Sequence, residues 1–359
     1  MSKKELNEVK RNLKNTKNTN SAAVFIDYGI NRLISDQGTL TFIVPKSLLF
    51  AERWFDLVET MLGKIPILVD VEKAFQNVKL EQVVFLYGKT IEANSYLARK
   101  FLNSEFIRTV TIPNDLALKY SAWICDVSEE EIRVAEKATS KPIVYMHEIS
   151  QTKRGVPLQR VLRRSGDYPV IRGKNIFRYG LRELKEFLSR ENLTTKKAKI
   201  SFLKQPKIIS QRLIAHIQNP MPRIMIMATL DLEGNIFSVD TVENTIITDK
   251  NYDLRYVVAL LNSSFISWFA YRFIFCSAIR TMDFDNYYVG KIPVVELNKE
   301  EQKPAIKLVD RILPITKTDD YLENPTKQAE VREYEQQIDQ LVYKLYGLTP
   351  EEIRIVENS

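Results

Sequence analysis

The sequence predicts an α/β protein: a partial doubly wound sheet, then a mixed α+β region and a helical C-terminal tail. Up to about residue 127, short apolar runs alternate with segments of helical periodicity, which is typical of α/β domains. From residue 141 onwards, short apolar runs are separated by Gly, Pro and Asn, which indicates a β-rich region. After residue 298 the chain becomes helical and acidic, with 14 acidic against 9 basic residues from Glu296 to Ser359. We therefore predict domains at residues 1–127, 128–297 and 298–359.

The first region lacks the opening of a complete sheet. Helical spacing predicts helices over residues 21–34 and 50–62, and apolar runs predict strands over 40–44, 65–69 and 81–87. The first strand has the pattern of one buried on both faces of a parallel sheet. Rossmann-like sheets begin with a strand and a Gly-rich turn, but G-x-G-x-x-G does not occur in this sequence. We expect that another polypeptide completes the sheet or that the fragment rearranges.

Turn and capping signals organise the later regions. Ser128 and Glu131 form a predicted capping box, and Thr349 followed by Pro350 predicts the start of the last helix. Residues 231–235 predict a hairpin turn, with Gly234 and Asn235 in left-handed conformations. A single helix is predicted around residues 254–275 and another over 326–346.

Positive charge is concentrated between residues 153 and 212, a segment called the basic window below. It holds 17 Lys and Arg against 4 Asp and Glu, a net charge of +13. The whole chain carries +7, so the remainder carries −6. Aromatic and amide side chains are interleaved with these cations, as in surfaces that contact phosphates and base edges. The window therefore predicts nucleic-acid binding, and its simpler interpretation is a solvated charged face. The DNA contacts that we predict are Arg172, Lys174 and Arg178, with Lys153, Arg154 and Arg212 behind them.

Few residues suggest independent catalysis or a metal site. The two cysteines, Cys125 and Cys276, and the two histidines are too widely separated in sequence for a CxxC zinc site or a disulfide framework. Asp283 and Asp285 suit a loop with capping carboxylates better than a metal site. Asp167 with Glu183 and Lys185 fits a nuclease pattern only loosely, because the last two are predicted to lie on a helix. We predict no catalytic residue and no bound metal.

The chain shows no predicted secretion signal or membrane span. Its first residues have no apolar core, and the apolar stretch 257–275 is interrupted by Asn, Ser and Arg, which favours a buried helix. Together with the sparse cysteines, these features predict a cytoplasmic protein without a membrane partner.

Phe75 is the candidate for contact with an unstacked base. It lies in a predicted loop between two strands, with Lys73 and Lys79 on either side. An aromatic ring in such a loop could stack on a base displaced from a duplex, or could simply fill the core.

Several stretches resemble the adenine-N6 DNA methyltransferases of the TaqI-like and Eco57I-like group, which includes type IIG restriction–modification enzymes. Residues 18–27, 38–45 and 74–89 resemble the part that follows the catalytic motif. Residues 151–297 resemble the target-recognition domain, in particular at Arg154-Gly155-Val156-Pro157, Ile171-Arg172-Gly173-Lys174-Asn175-Ile176 and Leu260-Leu261-Asn262-Ser263. Residues 338–352 resemble the characteristic ending of the family.

The resemblance implies sequence-specific recognition of double-stranded DNA. It also implies that Phe25 lies near the adenine of S-adenosylmethionine and that Phe75 stacks on the flipped target adenine. The family's Gly-rich cofactor motif and its catalytic Asn-Pro-Pro-Tyr do not occur in this sequence. The chain alone is therefore expected to be catalytically incomplete, and an N-terminal methyltransferase half or a restriction–modification subunit is its expected partner. The alternatives are a standalone, non-catalytic DNA-binding or restriction-complex interaction protein, and an RNA-binding protein.

Overall fold

A computed structural model describes residues 3–75, 77–191, 197–280 and 282–358 of the chain. The chain divides into two compact units. The first comprises residues 1–132 and 270–281, and the second comprises residues 133–269 and 282–359. The α/β class and the helical C-terminal tail that the sequence predicts are confirmed, while the domain boundaries at residues 127 and 297 stay predictions.

The first unit contains one five-stranded sheet, in the order β1-β3-β2-β4-β5. Its strands are β1 (Thr39–Pro45), β2 (Ile67–Glu72), β3 (Gln82–Gly88), β4 (Ser95–Leu102) and β5 (Glu105–Pro113). Its helices are α1 (Lys3–Asn12), α2 (Ser21–Tyr28), α3 (Phe55–Met61), α4 (Asn114–Tyr120) and α5 (Glu129–Thr139), of which α5 continues past residue 132. The Ser128–Glu131 capping box is confirmed, because each residue's side chain accepts a hydrogen bond from the other's backbone N–H, at 3.2 and 2.7 Å.

The strand pairing of this sheet differs from the predicted parallel arrangement. Only β2 and β4 are parallel, and the other three pairs are antiparallel. The interpretation of β1 as buried on both faces is wrong, because its residues alternate between exposed and half-buried positions over most of its length. The connections explain the pairing: the loop between β2 and β3 is too short for a parallel crossover, and β4 and β5 are joined by a tight turn with positive φ at Asn103 and Ser104.

The second unit is built from short strands. They are β6 (Ile143–Tyr145), β7 (Ser150–Arg154), β8 (Tyr168–Ile171), β9 (Ile176–Phe177), β10 (Gly180–Leu181), β11 (Phe187–Leu188), β12 (Lys207–Gln211), β13 (His216–Ile217), β14 (Arg223–Ile224), β15 (Ala228–Asp231), β16 (Phe237–Ser238), β17 (Val242–Ile247) and β18 (Pro293–Val295). Its main sheet is antiparallel, in the order β15-β12-β17-β7, and a smaller one has the order β11-β8-β16. A buried apolar cluster packs the smaller sheet against the helix α7 (Lys197–Leu203).

The predicted turn at residues 231–235 is present, but it does not form a hairpin. Gly234 has a φ of +67° as predicted, whereas Asn235 does not adopt the predicted left-handed conformation. The Asp231 carboxylate accepts hydrogen bonds from the backbone N–H groups of Gly234, Asn235 and Ile236. The strand that follows, β16, pairs with β8 and not with β15. The turn therefore carries the chain from one sheet to another, a difference that turn residues alone do not reveal.

The predicted helix at residues 254–275 is broken into three pieces. These are α8 (Leu254–Asn262), α9 (Ser264–Phe269) and a π-helical turn at Ala270–Ile274. The break follows from Asn262, which is 2% exposed. Its side-chain amide accepts from the Ala228 N–H and donates to the Ala228 carbonyl, both at 2.9 Å, so that it caps strand β15 from the end of α8.

Among the described helices, no single one is long and apolar enough to cross a membrane. One bent pair, Leu254–Asn262 with Ser264–Ile274, resembles a membrane span in length and composition only. Almost all residues of that pair are buried within the protein.

The remaining helices are α6 (Met146–Ile149), α10 (Asn286–Val289), α11 (Lys299–Thr316), α12 (Pro325–Leu345) and α13 (Pro350–Glu357). The last three form the C-terminal tail, in which α11 packs against both α12 and α8. Thr349 caps α13 in a capping box with Glu352, as predicted.

Removing the amide of Asn262 should destabilise the second unit. In Asn262→Ala the buried N–H of Ala228 loses its acceptor, while the Ala228 carbonyl keeps the hydrogen bond that it accepts from the N–H of Tyr179. Because one unsatisfied buried group costs about 1–3 kcal/mol, we expect the free energy of unfolding, measured by urea denaturation with tryptophan fluorescence, to fall by about 1–3 kcal/mol. The control is Asn251→Ala at an exposed position of the same unit, which should change it by less than about 0.5 kcal/mol. Equal effects of the two variants would contradict this role of Asn262.

Candidate nucleic-acid interface

One end of the main sheet of the second unit gathers five of the six predicted DNA contacts. Strand β12 ends at Gln211, opposite Val242 at the start of β17, and Arg154 at the end of β7 lies opposite Glu243. Chain segments carrying Lys153, Arg154, Arg172, Lys174 and Arg212 therefore meet here. We call this the cationic end of the sheet.

The turn at Asp240 and Thr241 holds these segments together. The Asp240 carbonyl accepts from Nε of Arg154 at 2.6 Å, and its carboxylate accepts from Gln159 at 2.6 Å. The Thr241 hydroxyl accepts from the N–H of Gly173 at 3.0 Å, and the Thr241 carbonyl accepts from the N–H of Arg212 at 3.2 Å. Three segments of the basic window thus converge on a turn that lies outside it in sequence.

Two glycines, Gly155 and Gly173, permit this close packing, and both lie in motifs that resemble the methyltransferase family. A Cβ at Gly173 would lie 2.9 Å from the Thr241 carbonyl oxygen, and one at Gly155 would overlap the carbonyl oxygens of Ser238 and Val239. Arg154-Gly155 and Arg172-Gly173 are therefore places where the backbone approaches the 238–241 segment too closely for a side chain.

Three of the predicted contacts at the cationic end form ion pairs within the protein. Arg172 binds Glu186 in a bidentate pair, with Nε and Nη2 at 2.5 and 2.7 Å from the carboxylate oxygens. These hydrogen bonds hold the pKa of Glu186 below its usual value. Arg154 pairs with Asp240 at 3.3 Å. Arg212 lies 3.3 Å from Asp283 and 3.6 Å from Glu243.

The two lysines at this end differ from the arginines. Lys153 and Lys174 are exposed and form no ion pair with another described residue. The ammonium group of Lys153 lies 4.5 Å from the centroid of the Phe202 ring. Of the six predicted contacts, these two carry positive charge that is not matched by a carboxylate.

Arg178, the sixth predicted contact, lies away from the cationic end. It follows β9, and its guanidinium donates to the Asn262 carbonyl at 2.9 Å and lies 3.2 Å from the Glu335 carboxylate of α12. Its side chain is 22% exposed. The structure thus assigns Arg178 contacts that join β9 to α8 and the helical tail, and its contact with DNA stays a prediction.

Sequence reasoning did not single out six further cations of the basic window that are exposed and form no ion pair among the described residues. They are Arg160, Arg163, Arg164, Arg182, Arg190 and Lys204. Arg163 and Arg190 lie beside the smaller sheet, where the backbone of Arg163 pairs with Phe187 and the N–H of Arg190 binds Asp167 at 2.8 Å. Arg160 directly follows Gln159, and so connects this group to the cationic end. The sequence offered no signal that separates these cations from the paired ones.

Not all of the window is surface. Lys207 is fully buried and binds the Asp231 carboxylate and the Leu203 carbonyl. Burial lowers the pKa of Lys207, and Asp231 opposes that effect. Lys196 and the side chains of Lys197 and Lys199 lie outside the described residues.

A buried carboxyl group lies beneath the cationic end. Glu243 is 1% exposed, and its Oε1 has no hydrogen-bond partner in the described part of the chain. Burial raises the pKa of Glu243 to about 8; Arg212 opposes this effect, and Asp285 adds to it. Near neutral pH this carboxyl therefore contributes little negative charge next to Arg212.

The carboxylates that the sequence offered for other chemistry have structural partners. Asp285 caps α10 by accepting from the N–H of Tyr287 at 3.0 Å, which confirms the capping interpretation for this residue, whereas Asp283 pairs with Arg212. Glu183 pairs with Lys185 at 2.8 Å on the surface. The helix predicted for these two residues is absent. Residues 182–186 form an irregular segment before β11.

The two predicted aromatic contacts lie in the first unit, and both rings are exposed. Phe25 is on α2 and is 63% exposed, and Phe75 is in the loop after β2 and is 52% exposed. Neither ring fills the core, so both have faces free for stacking. Their roles stay predictions.

A cavity of about 770 Å³ lies in the second unit between the β9–β10 hairpin, β15 and the end of α11 with the loop that follows it. Phe177 and Tyr321 stack at its wall with ring centroids 5.5 Å apart. None of the eight predicted site residues lines it.

Residues 168–294 match the model of a family described as the TaqI-like C-terminal specificity domain. This match confirms the predicted resemblance over the segment that contains most of the basic window and the strands β12 and β17 of the cationic end, whereas β7 lies before it. No curated protein sequence matches the chain.

The chain is similar in structure to restriction–modification enzymes. Against the type IIL enzyme MmeI, solved in complex with DNA, the identity is 12% and the TM-score 0.56, over 100% of this chain and 55% of that chain. For the type IIG restriction endonuclease BpuSI the identity is 11% and the TM-score 0.36, over 92% of this chain and 49% of that chain. For DrdV, solved in complex with DNA, the identity is 10% and the TM-score 0.48, over 88% of this chain and 42% of that chain. This chain thus spans about half the length of these proteins. The similarity to MmeI shows a shared fold.

The titration of Glu243 should make stability depend on pH. Its folded pKa lies above its unfolded value, so the folded state binds the extra proton between pH of about 4.5 and 8. The contribution of Glu243 to the free energy of unfolding is fully present below pH of about 4.5. It falls by about 1.4 kcal/mol per pH unit as the pH rises to 8. We expect the melting temperature of Glu243→Gln minus that of the wild type, measured by scanning calorimetry, to increase from pH 5 to pH 9, because only the wild type loses this contribution. A difference that does not change with pH would contradict this.

Proposed function

We propose that this chain recognises a sequence in double-stranded DNA as the specificity part of an adenine-N6 DNA methyltransferase of a type IIG restriction–modification system. The observation that carries the proposal is the specificity-domain match over residues 168–294, which contain four of the eight unpaired cations of the basic window: Lys174, Arg182, Arg190 and Lys204. Phosphate groups attract cations that are not already matched by carboxylates, and base edges are read by groups held in a fixed geometry. The cationic end offers both cations without carboxylate partners and arginines held in a fixed geometry.

The two classes of cation have different roles in this proposal. Lys153 and Lys174, with the six further unpaired cations, contact phosphates and supply most of the affinity. Arg154, Arg172 and Arg212 are held by Asp240, Glu186 and Asp283, so they orient the surface, and their remaining N–H donors face the duplex. Because guanidinium groups fixed in this way lose little freedom on binding, they are suited to reading bases.

We further propose that methyl transfer requires a second component. Asn-Pro-Pro-Tyr, which supplies hydrogen-bond acceptors for the target amino group in the resembling enzymes, does not occur in these 359 residues. In the completed assembly S-adenosylmethionine supplies the methyl group. The exposed ring of Phe25 would stack against its adenine, and the exposed ring of Phe75 against the flipped target base.

An apolar surface on the first unit favours such a component. Phe25, Tyr28 and Leu33, on α2 and the turn after it, are 63%, 53% and 69% exposed. Three large apolar side chains this exposed within nine residues are typical of an interaction surface. In the described residues β1 pairs only with β3, so one of its edges is also open. A methyltransferase half or a restriction–modification subunit would cover this surface.

The salt dependence of duplex binding tests the first proposal. We expect log K for a fluorescently labelled duplex, measured by anisotropy, to fall with log salt by about 0.9 for each phosphate neutralised. In the double variant Lys153→Ala, Lys174→Ala, binding should weaken and the slope should become shallower by about 1.8, because two phosphate contacts are lost. The control is Lys303→Ala in the tail, where the lysine is exposed and paired with Glu300.

A shallow slope for the wild type would contradict DNA binding through the basic window. An equal effect of the control would show that the loss comes from overall charge and not from the cationic end. Preference for single-stranded RNA over duplex DNA in competition would favour the RNA-binding alternative.

Transfer of tritium from labelled S-adenosylmethionine to plasmid DNA tests the second proposal. We expect no transfer by this chain alone, and transfer when a polypeptide carrying the Gly-rich and Asn-Pro-Pro-Tyr motifs is added. Phe75→Ala should reduce transfer in the mixture much more than it reduces duplex binding, because base stacking contributes about 1–3 kcal/mol to holding the flipped base. Transfer by the chain alone would contradict catalytic incompleteness. Duplex binding without transfer in any mixture would favour the standalone, non-catalytic DNA-binding protein.

A further inference from the structure

Leu213 is the most exposed large apolar side chain in the described part of the second unit. It is 63% exposed, compared with 41% for Leu322 and 36% for Leu232. A single exposed leucine is ordinary in itself. The position of Leu213 is what distinguishes it, because it directly follows Arg212 at the cationic end.

The backbone around Leu213 is fixed on both sides. The Arg212 carbonyl accepts from the N–H of Phe284 at 2.6 Å, and the N–H of Ile214 donates to the Met282 carbonyl at 3.2 Å. Leu213 and Asp283 therefore face each other in a short antiparallel ribbon. Ile214, Met282 and Phe284 are all buried, so this ribbon is anchored in the core while Leu213 points into solvent.

A two-stranded segment of this kind fits one groove of the duplex better than the other. The major groove of B-DNA is about 12 Å wide and admits a two-stranded β-ribbon, whereas the minor groove is only about 6 Å wide. Arg212, which precedes Leu213, and Asp283, which lies opposite it, are the types of side chain that pair with guanine and cytosine edges in the major groove. The apolar group that base pairs present there is the C5-methyl of thymine.

We propose that Leu213 contacts a thymine methyl group in the major groove and so specifies one A·T pair of the recognised sequence. This inference rests on the proposed function, because it requires a duplex at the cationic end. It adds a specificity-determining residue that carries no charge, which the charge pattern of the sequence could not indicate.

The test uses the full chain and a duplex library with a randomised central segment. Bound duplexes are selected with the wild type, with Leu213→Ala and with Leu232→Ala. Leu232 is the matched control because it follows Asp231, which lies opposite Lys207 at the other end of the same sheet. The best wild-type duplex is then remade with uracil in place of each thymine in turn, which removes only the methyl group.

We expect one thymine whose replacement by uracil weakens wild-type binding about fourfold, the factor that corresponds to one buried methyl group at ~0.8 kcal/mol. Leu213→Ala should bind the thymine and uracil duplexes equally and lose the preference for A·T at that position. Leu232→Ala should behave as the wild type does.

Two results would overturn the inference alone. One is sequence-selective binding by the wild type that no uracil replacement weakens, and the other is a Leu213→Ala variant that keeps the full thymine preference. If uracil has no effect but 2-aminopurine fluorescence reports unstacking that Leu213→Ala abolishes, Leu213 is a wedge between base steps and not a methyl contact. Absence of any sequence-selective duplex binding by the wild type would overturn the proposed function, and this inference with it.

Discussion

The arrangement of the candidate interface depends on the turn at Asp240 and Thr241. Four groups from elsewhere in the chain donate to it: the side chains of Arg154 and Gln159, and the backbone N–H groups of Gly173 and Arg212. Arg154 ends strand β7, Gln159 lies in the connection that follows it, and Gly173 and Arg212 lie in two further connections, after β8 and after β12. Because the turn accepts from all of them, it fixes the cations relative to the main sheet. The rigidity of this surface therefore comes from hydrogen bonding, since its short strands provide little by themselves.

Charge pairing then separates the basic window into two functional classes. Arginines that lie against the fold are matched by Glu186, Asp240 and Asp283, as partly buried charges must be. Eight exposed cations, among them Lys153 and Lys174, have no such partner among the described residues, and in the proposed function they supply the attractive field. The net charge of +13 counted along the sequence thus overstates what a ligand meets, since part of it is balanced by carboxylates from outside the window, including Asp240 and Asp283. The raised pKa of Glu243 limits that balance near neutral pH.

The two units present different surfaces. The second unit offers positive charge around a fixed ribbon, which suits a polyanion with a patterned groove. The first offers exposed aromatic and aliphatic side chains on α2 and an open strand edge at β1, which suits another polypeptide. A chain with both kinds of surface fits a specificity part that works within a larger assembly, and the two surfaces can be tested independently of each other.

Several features of the fold and of the candidate sites could be predicted from the sequence because they depend on local rules. Helix caps at Ser128 and Thr349, the turn at Gly234 and the aromatic loop at Phe75 follow from residues within a few positions of one another. The sequence also determined where positive charge is dense and which family the recognition segment resembles. Tertiary structure decided the rest, because it brings together residues far apart in the chain. The sequence could not show that Arg178 would meet Glu335, that Asn262 would break a predicted helix by binding Ala228, or that Leu213 would be held opposite Asp283. Charge and hydrophobicity are properties of single residues, whereas pairing and exposure are properties of the neighbours that folding supplies.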